Sequence, residues 1–467
     1  MCKTDAEHDE LMALVKRQQE QITRLEASNE RLRKELVESQ RSGRRQAAPF
    51  SKGKRSSKPK RPGRKPGMGL FSYRRAPSAE EVTDPVVDVP VSGETCPGCG
   101  GILEDAGESV AYVTDIAAIR RPQVRAYRVQ VCRCRSCGKR VRGRHPDIAS
   151  GQHGASAHRL GERVKAAAHV LHYGVGIPLR RVPDVLEALT GVRVTQGAIS
   201  RDAVRRTAGA VGAAYRTLRR SVRASPLVHT DDTGWRVGGE RAYLMAFETE
   251  GSTVYQVRGR HRNEEVREVV PSDYAGVMVT DRGRSYDAQA LSGVKQQKCL
   301  AHVLRSISDV VETKTGRGRS FGKGLSALLR EAMELWRSYH RGEAVDFGVQ
   351  AERLKRELSY HLRDRPMSDA DNYRLQNELG WHDDRGNLLR FLDDPRIEPT
   401  NNRAERALRP AVIARKVSHC SKSVKGAEAF SAFTSVIRTL ERNGGDQPVV
   451  DRLCAVFSGA PVHSTSP

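Results

Sequence analysis

The chain has 467 residues, a length that exceeds what one hydrophobic core usually organises and that predicts several globular domains. Its 38 % of hydrophobic side chains is ordinary for globular proteins. Its formal net charge of +24 favours a polyanion such as DNA as the partner and makes a membrane the weaker alternative. No apolar run suits a membrane span, no signal peptide is recognisable, and nine cysteines are typical of reduced thiols or a metal site, so we expect a cytoplasmic, nucleoid-associated protein.

Residues 8–40 contain a sparse apolar heptad repeat, which predicts a short coiled coil. One core position is occupied by Val15, Ile22, Asn29 and Leu36, and the other by Leu11, Gln18, Leu25 and Leu32. A core asparagine among β-branched residues favours a parallel pair of helices, because its amide bonds to the partner's amide. We therefore expect a homodimer or a higher synaptic assembly. The polar core residues leave open the alternative of a single solvated amphipathic helix.

A basic flexible linker is predicted for residues 41–75. Between residues 41 and 65 there are eleven lysines or arginines and no acidic residue, interspersed with proline, glycine and serine. Such a composition cannot bury a core. Its charge density favours a tether on the DNA backbone over a merely solubilising linker. The predicted DNA contacts in this segment are Lys58, Lys60, Arg61, Arg64 and Lys65.

Two Cys-x-x-Cys pairs predict a zinc-binding ribbon over residues 90–145. The proposed ligands are Cys96, Cys99, Cys134 and Cys137. Four thiolates can surround Zn²⁺ as a tetrahedron, and such a zinc is structural because no position stays open for catalysis. Cys132 is a fifth thiol that either competes as a ligand or lies outside the site. A metal-free ribbon with buried thiols is the alternative, which the arginine-rich surroundings disfavour.

A helical domain that is a candidate for DNA binding is predicted for residues 155–222. The pattern is typical of a helix-turn-helix. It consists of a helix at about 158–173, a second segment at 178–189, a glycine, and a helix that begins with Thr195 as its N-cap. Two helices that simply pack in a core give the same pattern, so both interpretations stay open. The last helix contains Ser200, Arg201, Arg205 and Arg206.

An α/β core is predicted from the strand-like segments that follow residue 226. The pattern places strands at 226–230, about 242–248, about 253–258 and 277–280, with a helix near 263–270 before the last strand. This order matches a ribonuclease-H-like fold. The predicted catalytic core comprises 223–313 and 396–445, with a helical insertion at 314–395 and a C-terminal tail at 446–467.

Three carboxylates are candidate catalytic residues of this core. Acidic side chains that converge can hold a pair of hard cations against a phosphodiester, and their oxygen atoms suit Mg²⁺ or Mn²⁺. The candidates are Asp231, Asp281 and Glu405.

Each aspartate also has a structural alternative. Asp231 and Asp232 are adjacent, so only one can face the site from a regular strand, and we choose Asp231. Either residue could instead belong to a turn before Gly234. Asp281 could cap a helix that starts near Ser285.

Glu405 lies in a predicted helix with Thr400 as its N-cap. Its structural alternative is an exposed salt bridge with Arg409, one turn further on, which would contribute little energy. Carboxylates that compete for its role are Glu398, Asp383 and Asp384. Basic side chains of the same segment suit phosphate contacts, although arginine is also common on solvated helices. These residues are Arg403, Arg406, Arg409, Arg415 and Lys416.

Cys299 and His302 form a Cys-x-x-His pair at the start of another predicted helix. Two soft ligands are too few for a metal site. A helix after a core strand often buries such residues. We therefore interpret the pair as structural.

The chain resembles the IS66 family of bacterial DDE transposases over nearly its whole length. The motifs of this resemblance are the heptad segment, the cysteine pairs, Lys58–Gly67, Thr230–Trp235, Asp281 with Tyr286, Cys299–His302 and the highly specific Asn401–Pro410. The sequence departs from the family pattern at Asp232, where glutamate is usual, and at Arg282–Arg284, where a Gly-Tyr pair is common.

The resemblance implies a function. It implies a catalytic triad of Asp231, Asp281 and Glu405 on a ribonuclease-H-like fold, which cuts transposon ends and joins them to target DNA. It also implies two small helper proteins encoded by the same element. Two alternatives are a catalytically inactive DNA-binding regulator of element ends and a nuclease without strand transfer.

Overall fold

The computed structural model describes residues 158–462, apart from 364–365 and 419, and shorter stretches before them. These stretches are 12, 14–16, 18–23, 25–30, 32–33, 76–82, 85–89, 94–104, 109–113, 122–145, 147–148 and 152. Lys58, Lys60, Arg61, Arg64 and Lys65 of the predicted linker lie outside the described residues. Within the described part of the chain, no helix has the length and apolar character needed to cross a membrane.

The chain separates into two compact units. One unit is residues 52–123, and the other combines Met1–Ser51 with Val124–Pro467. In the second unit, the described residues between 12 and 33 are helical. Their apolar side chains are exposed, among them Val15, Ile22, Leu25 and Leu32. A helix without its partner and a solvated helix both have this exposure, so the coiled coil remains a prediction.

Among the described residues, four α-helices lie between residue 158 and the central sheet. They are α1 (Glu162–His169), α2 (Val182–Thr190), α3 (Gln196–Ala208) and α4 (Ala210–Ala224). α1 continues into a π-helical turn at Val170–Gly174. α2 ends at Gly191, whose φ of +69° is a left-handed conformation that glycine tolerates. Thr195 caps α3 by accepting a 3.2 Å hydrogen bond from the amide of Ala198, so the predicted N-cap is confirmed.

A five-stranded sheet forms the centre of the larger unit, and β1 (Val131–Arg133) and β2 (Arg140–Arg142) form a separate antiparallel pair. The strands of the central sheet are β3 (Leu227–Val237), β4 (Glu240–Glu248), β5 (Thr253–Arg258), β6 (Val277–Thr280) and β7 (Lys295–Lys298). Their order is β5-β4-β3-β6-β7. The first three are antiparallel, whereas β3, β6 and β7 run parallel. The predicted strands are confirmed in type and order, and the predicted helix is α5 (Asn263–Arg267).

The strand β3 is longer than predicted. It was expected to end at residue 230, but it continues to Val237 because its hairpin with β4 pairs Asp231 with Ala246 and extends to the turn. Asp231 therefore lies inside a strand and not at its end. The alternative that Asp231 belongs to a turn before Gly234 is wrong.

The two faces of the sheet belong to separate hydrophobic cores. Side chains alternate along a strand, so Met278 on β6 lies in the first core and Val279 in the second. The first core joins the sheet to α4 and to α10 (Asn402–Ser418), α11 (Val424–Arg442) and α12 (Val449–Phe457). The second core contains α6 (Leu300–Glu312), α7 (Gly316–His340), α8 (Phe347–Arg363) and α9 (Ala370–Asp383).

Helix α11 covers the edge strand β5 with a row of hydroxyl groups. Each hydroxyl oxygen accepts a hydrogen bond from a buried amide of the strand, and the pairs are Ser431 with Val257 at 3.1 Å, Ser435 with Tyr255 at 2.8 Å, and Thr439 with Thr253 at 3.1 Å. Four helical residues rise about 6 Å, which is close to the two-residue repeat of a strand. The sheet edge is thereby closed to pairing with another chain.

Candidate active site

Asp231 and Asp281 lie on neighbouring parallel strands. The ladder between β3 and β6 pairs His229 with Val279. Two residues further along each strand are Asp231, within β3, and Asp281, directly after β6. Because the strands run in the same direction, equal steps from a paired position bring the two aspartates to the same edge of the ladder.

Glu405 reaches the same edge because the start of α10 is fixed to β3. The Nδ2 of Asn401, the residue before the helix, donates a 2.7 Å hydrogen bond to the backbone carbonyl of Thr230. The backbone amide of Asn401 also donates a 3.1 Å hydrogen bond to the Sγ of Cys299. Asn401 is fully buried, so these bonds hold the first turn of α10, which contains Glu405, beside Asp231.

The carboxylates repel one another. Burial raises the pKa of Asp231 to about 7, and the negative charges of Asp281, Asp232 and Glu405 add to the increase. A hydrogen bond from the Asp232 amide to the Asp231 Oδ1, 2.9 Å long, acts in the opposite direction. The structure therefore brings Asp281 and Glu405 within electrostatic range of Asp231.

Asp232 has a different partner from Asp231. Its Oδ1 lies 3.1 Å from the Nδ1 of His261, whose Nε2 is 3.3 Å from the hydroxyl of Ser285. Asp232 is thus paired with an imidazole, and the choice of Asp231 over Asp232 as the site residue remains a prediction. His261 was missed by the sequence argument, because no spacing links it to the carboxylates.

The loop after β6 orients Asp281. The Oδ1 of Asp281 accepts a 2.8 Å hydrogen bond from the amide of Gly283. A Cβ at Gly283 would lie 2.9 Å from that oxygen, so a side chain there would displace the Asp281 carboxylate. Gly283 also begins a turn in which its carbonyl accepts from the Tyr286 amide. No helix starts at Ser285 among the described residues, so the helix-cap alternative for Asp281 is wrong.

Lys298 on β7 binds the residues at the start of this loop. It is fully buried on β7, and its Nζ lies 2.6 Å from Asp287 Oδ1. The same Nζ donates to the hydroxyl of Thr280 at 3.1 Å and to the backbone carbonyl of Asp281 at 3.2 Å. Burial lowers the pKa of Lys298, while Asp287 opposes the decrease. The lysine therefore contacts the main chain of the site, not its carboxylates.

The sequence matches a known family over the region that builds this site. Residues 158–429, more than half of the chain, match the family described as "Transposase IS66 family". The chain belongs to the IS66 family of transposases. It is similar to "Uncharacterized protein y4jD" of Sinorhizobium fredii (strain NBRC 101917 / NGR234), with 24 % identity over 400 residues, which cover 78 % of this chain and 74 % of that protein. The resemblance seen in the sequence is confirmed, and the family indicates a transposase role.

The competing carboxylates of this IS66-family chain have other partners. Glu398 accepts a 3.0 Å hydrogen bond from Arg403, and Asp383 accepts one of 2.6 Å from Ser359. Asp384 pairs with Arg363. These three acids are thus engaged in local contacts, which favours Glu405 as the third member of the site. The Glu405 carboxylate lies 3.9 Å from His302 Nδ1, and no ion pair joins it to Arg409.

The basic residues of α10 divide into two groups. Arg406, Arg409 and Lys416 are exposed. Arg415 instead donates to the Thr233 hydroxyl at 3.1 Å and to the Gly234 carbonyl, which ties α10 to β3. The first group suits phosphate contacts.

The helix α3 contributes two exposed arginines, Arg201 and Arg205. Arg205 pairs with Asp202 at 2.7 Å. Arg206, which lies on the same helix, does not share this exposure. Arg206 is buried, with its Nε 2.7 Å from Asp202 and its guanidinium 3.5 Å above the ring of Phe457. Its role is therefore to hold α3 in the core.

The first predicted zinc knuckle lies in the unit formed by residues 52–123. The amide of Cys96 donates to the carbonyl of Gly101, and the amide of Gly100 donates to the carbonyl of Cys96, both at 2.8 Å. Gly100 has a φ of +74°. Hydrogen bonds from the amides of Gly98 and Cys99 lower the pKa of the Cys96 thiol. Amides that point at a sulfur favour the thiolate, which is the form that binds metal.

The second knuckle, in the other unit, has the same local geometry. The amide of Cys134 donates to the carbonyl of Lys139, and the amide of Gly138 donates to the carbonyl of Cys134, both at 2.9 Å. Hydrogen bonding from the backbone of Cys137 lowers the pKa of the Cys134 thiol. Cys132 lies on β1, outside this turn. The two knuckles thus share one hydrogen-bond pattern, and zinc binding by their cysteines remains a prediction.

Proposed function

We propose that the chain is a DNA transposase that cleaves the ends of an insertion element and joins the freed 3′-hydroxyl to target DNA. The observation that supports this most is the convergence of Asp231, Asp281 and Glu405, which come from two parallel strands and a distant helix. We further propose that the central sheet is a ribonuclease-H-like core. Its antiparallel β5-β4-β3 meander followed by the parallel β6 and β7 supports that assignment.

The carboxylates suit hard divalent cations. They crowd negative charge at one edge of the sheet, and their oxygens are the donors that Mg²⁺ and Mn²⁺ prefer. Among the described residues, the three carboxylates are not a group whose donor atoms all lie within 4.8 Å of one another. Two-metal chemistry places the ions about 3.5–4 Å apart and shares the carboxylates between them, so it does not require one compact cluster. Bound Mg²⁺ or Mn²⁺ would neutralise the phosphate and activate the attacking oxygen.

The protein's own groups orient the site. One oxygen of Asp231 and one of Asp281 accept hydrogen bonds from backbone amides, which fixes each carboxylate plane. The buried bond from Asn401 to Thr230 fixes the distance between α10 and β3. Such preorganisation positions ligands before the substrate arrives.

The remaining partners are also proposals. Arg201, Arg406, Arg409 and Lys416 are exposed cations that we assign to the DNA backbone, together with Arg205 and the basic linker. Arg415 is a further predicted DNA contact, and its bond to the Gly234 carbonyl holds its guanidinium beside β3. We propose that Cys96, Cys99, Cys134 and Cys137 are ligands of structural Zn²⁺. We also propose that the heptad segment forms a homodimer or part of a synaptic assembly, and that the element's small helper proteins assist.

The test is a cleavage and joining assay with labelled DNA from the ends that flank the gene, in Mg²⁺ buffer. We expect Asp281→Ala to abolish both cleavage and joining while DNA binding persists. Asp273→Ala, an exposed aspartate shortly before β6, is the matched control and should keep both steps. Joining by Asp281→Ala would defeat the assignment. Cleavage without joined product would indicate a nuclease, and binding without cleavage by the wild type would indicate a regulator.

A further inference from the structure

The starts of two helices bring a thiol, an imidazole and a carboxylate together. Cys299 occupies the N-cap position of α6 and His302 its first turn, while Glu405 lies in the first turn of α10. Their ligand atoms, one from each residue, all lie within 4.8 Å of one another. Among the described residues, no other group of three or more potential metal ligands lies so close together. The sequence offers two soft ligands here, Cys299 and His302, and the fold adds Glu405 as the third.

The distances suit a tetrahedral ion. Zinc bonds of about 2.0–2.3 Å place neighbouring ligand atoms about 3.3–3.7 Å apart. The His302 Nδ1 and the Glu405 carboxylate are 3.9 Å apart, a few tenths of an ångström more than that. Small side-chain rotations would close the remaining gaps.

Two further observations point to a ligand at this place. The Nδ1 of His302 is buried and has no hydrogen-bond partner, which is costly for a polar atom. The buried Sγ of Cys299 accepts a hydrogen bond from the backbone amide of Asn401 at 3.1 Å, a contact that a metal-bound sulfur can keep. A bound cation would satisfy the imidazole nitrogen and balance the thiolate.

We propose that Cys299, His302 and Glu405 bind one thiophilic divalent cation of the zinc class. A thiolate and an imidazole select such an ion over Mg²⁺, which prefers oxygen. Three protein ligands leave one coordination position open. Because Glu405 also faces Asp231, the soft cation and any hard cation at the carboxylates draw on the same side chain.

The site can be tested without DNA, so its failure is distinguishable from failure of the proposed strand transfer. The full chain is dialysed against excess Co²⁺, a spectroscopic substitute for Zn²⁺, and unbound metal is removed. The thiolate-to-cobalt charge-transfer absorption and the bound cobalt per chain are then measured. The matched variants are Cys299→Ser and Cys454→Ser, because Cys454 is a half-buried thiol on α12. Cobalt in the zinc knuckles contributes equally to both.

We expect Cys299→Ser to lose about one equivalent of cobalt and the corresponding absorption, as expected for a single tetrahedral site, while Cys454→Ser matches the wild type. His302→Gln, a partly exposed position that tolerates substitution better, should show the same loss of cobalt. It decides the matter if Cys299→Ser unfolds. Equal cobalt content and absorption in the wild type and in the folded variants would overturn the proposal, leaving a hydrogen-bonded cluster without metal.

Discussion

The Nδ2 of Asn401 donates a 2.7 Å hydrogen bond to the backbone carbonyl of Thr230, the residue before Asp231. This bond connects the helix that carries Glu405 to the strand that carries Asp231, although the residues are far apart in the chain. Both groups are fully buried, so no water competes for the bond. The geometry of the candidate active site thus depends on an amide that ligates nothing itself.

Asn401→Ala should lower the cleavage rate by about 10- to 100-fold, because a shift of α10 by about an ångström misplaces Glu405. It should also reduce the free energy of unfolding by about 1–3 kcal/mol, since the Thr230 carbonyl loses its buried partner. Asn402→Ala, its exposed neighbour, is the control and should change neither quantity. Initial rates on end DNA and urea unfolding measure the two effects. Normal cleavage by a correctly folded Asn401→Ala variant would show that this bond does not position Glu405.

Asp231→Asn should stabilise the protein above pH 7 when no Mg²⁺ or Mn²⁺ is added. The pKa of Asp231 is raised to about 7 from its ordinary value of 3.8, mainly by burial. Because the pKa of Asp231 is higher in the folded than in the unfolded protein, its protonated form stabilises the fold fully below pH 3.8. This contribution to the free energy of unfolding is lost as pH rises to about 7. At pH 8 the variant should gain about 2–4 kcal/mol, and near pH 4 it should gain nothing.

Thermal unfolding of metal-free protein at pH 4 and pH 8 checks this expectation. Added Mg²⁺ should raise the unfolding temperature of the wild type, because a ligand that binds the folded state stabilises it. The same Mg²⁺ should have a much smaller effect on Asp231→Asn. An equal Mg²⁺ effect on both proteins would be inconsistent with Asp231 as a ligand.

Lys298→Met should destabilise the fold by about 3–5 kcal/mol, because it leaves Asp287 without its buried partner. Asp287→Asn combined with Lys298→Met should recover part of that loss, since the uncompensated charge is removed. Denaturant unfolding of the two single variants and the double variant gives the coupling energy. Additive single effects would indicate that the pair does not act as a unit.

Arg206→Met and Arg201→Ala should have opposite profiles. Arg206 is buried between Asp202 and Phe457, so its loss should lower the unfolding temperature without selectively reducing DNA affinity in the folded fraction. Arg201 is exposed, so Arg201→Ala should leave stability unchanged, weaken DNA binding, and reduce the salt slope by about one. Binding measured across a salt series separates the two roles. An unchanged slope for Arg201→Ala would remove α3 from the DNA interface.

The sequence predicted the strands because their apolar patterns are local. The runs before Asp231 and Asp281 identified β3 and β6, and the Thr195 cap fixed the start of α3. The length of β3 was underestimated, since its second half pairs with β4 but not with β6 and contains polar residues such as Asp232.

The supporting contacts of the site could not be predicted in this way. Asn401, Lys298 and His261 act through neighbours brought close by the fold, and no sequence spacing encodes those distances. The meeting of Cys299 and His302 with Glu405 is of the same kind. Asn401 lies within the motif that most resembled the family, which was the signal available. The burial of Arg206 could not be predicted, because its partner Phe457 lies in α12, far along the chain after the predicted catalytic core.

The most direct test of the central proposal compares Glu405→Gln with Glu398→Gln in a Mg²⁺-dependent assay that joins labelled element ends to target DNA. Both substitutions remove one carboxylate charge from the same segment, but Glu398 pairs with Arg403 whereas Glu405 faces Asp231 and His302. The proposal predicts no joined product with Glu405→Gln and near wild-type product with Glu398→Gln. Joined product from Glu405→Gln at the wild-type rate would contradict it.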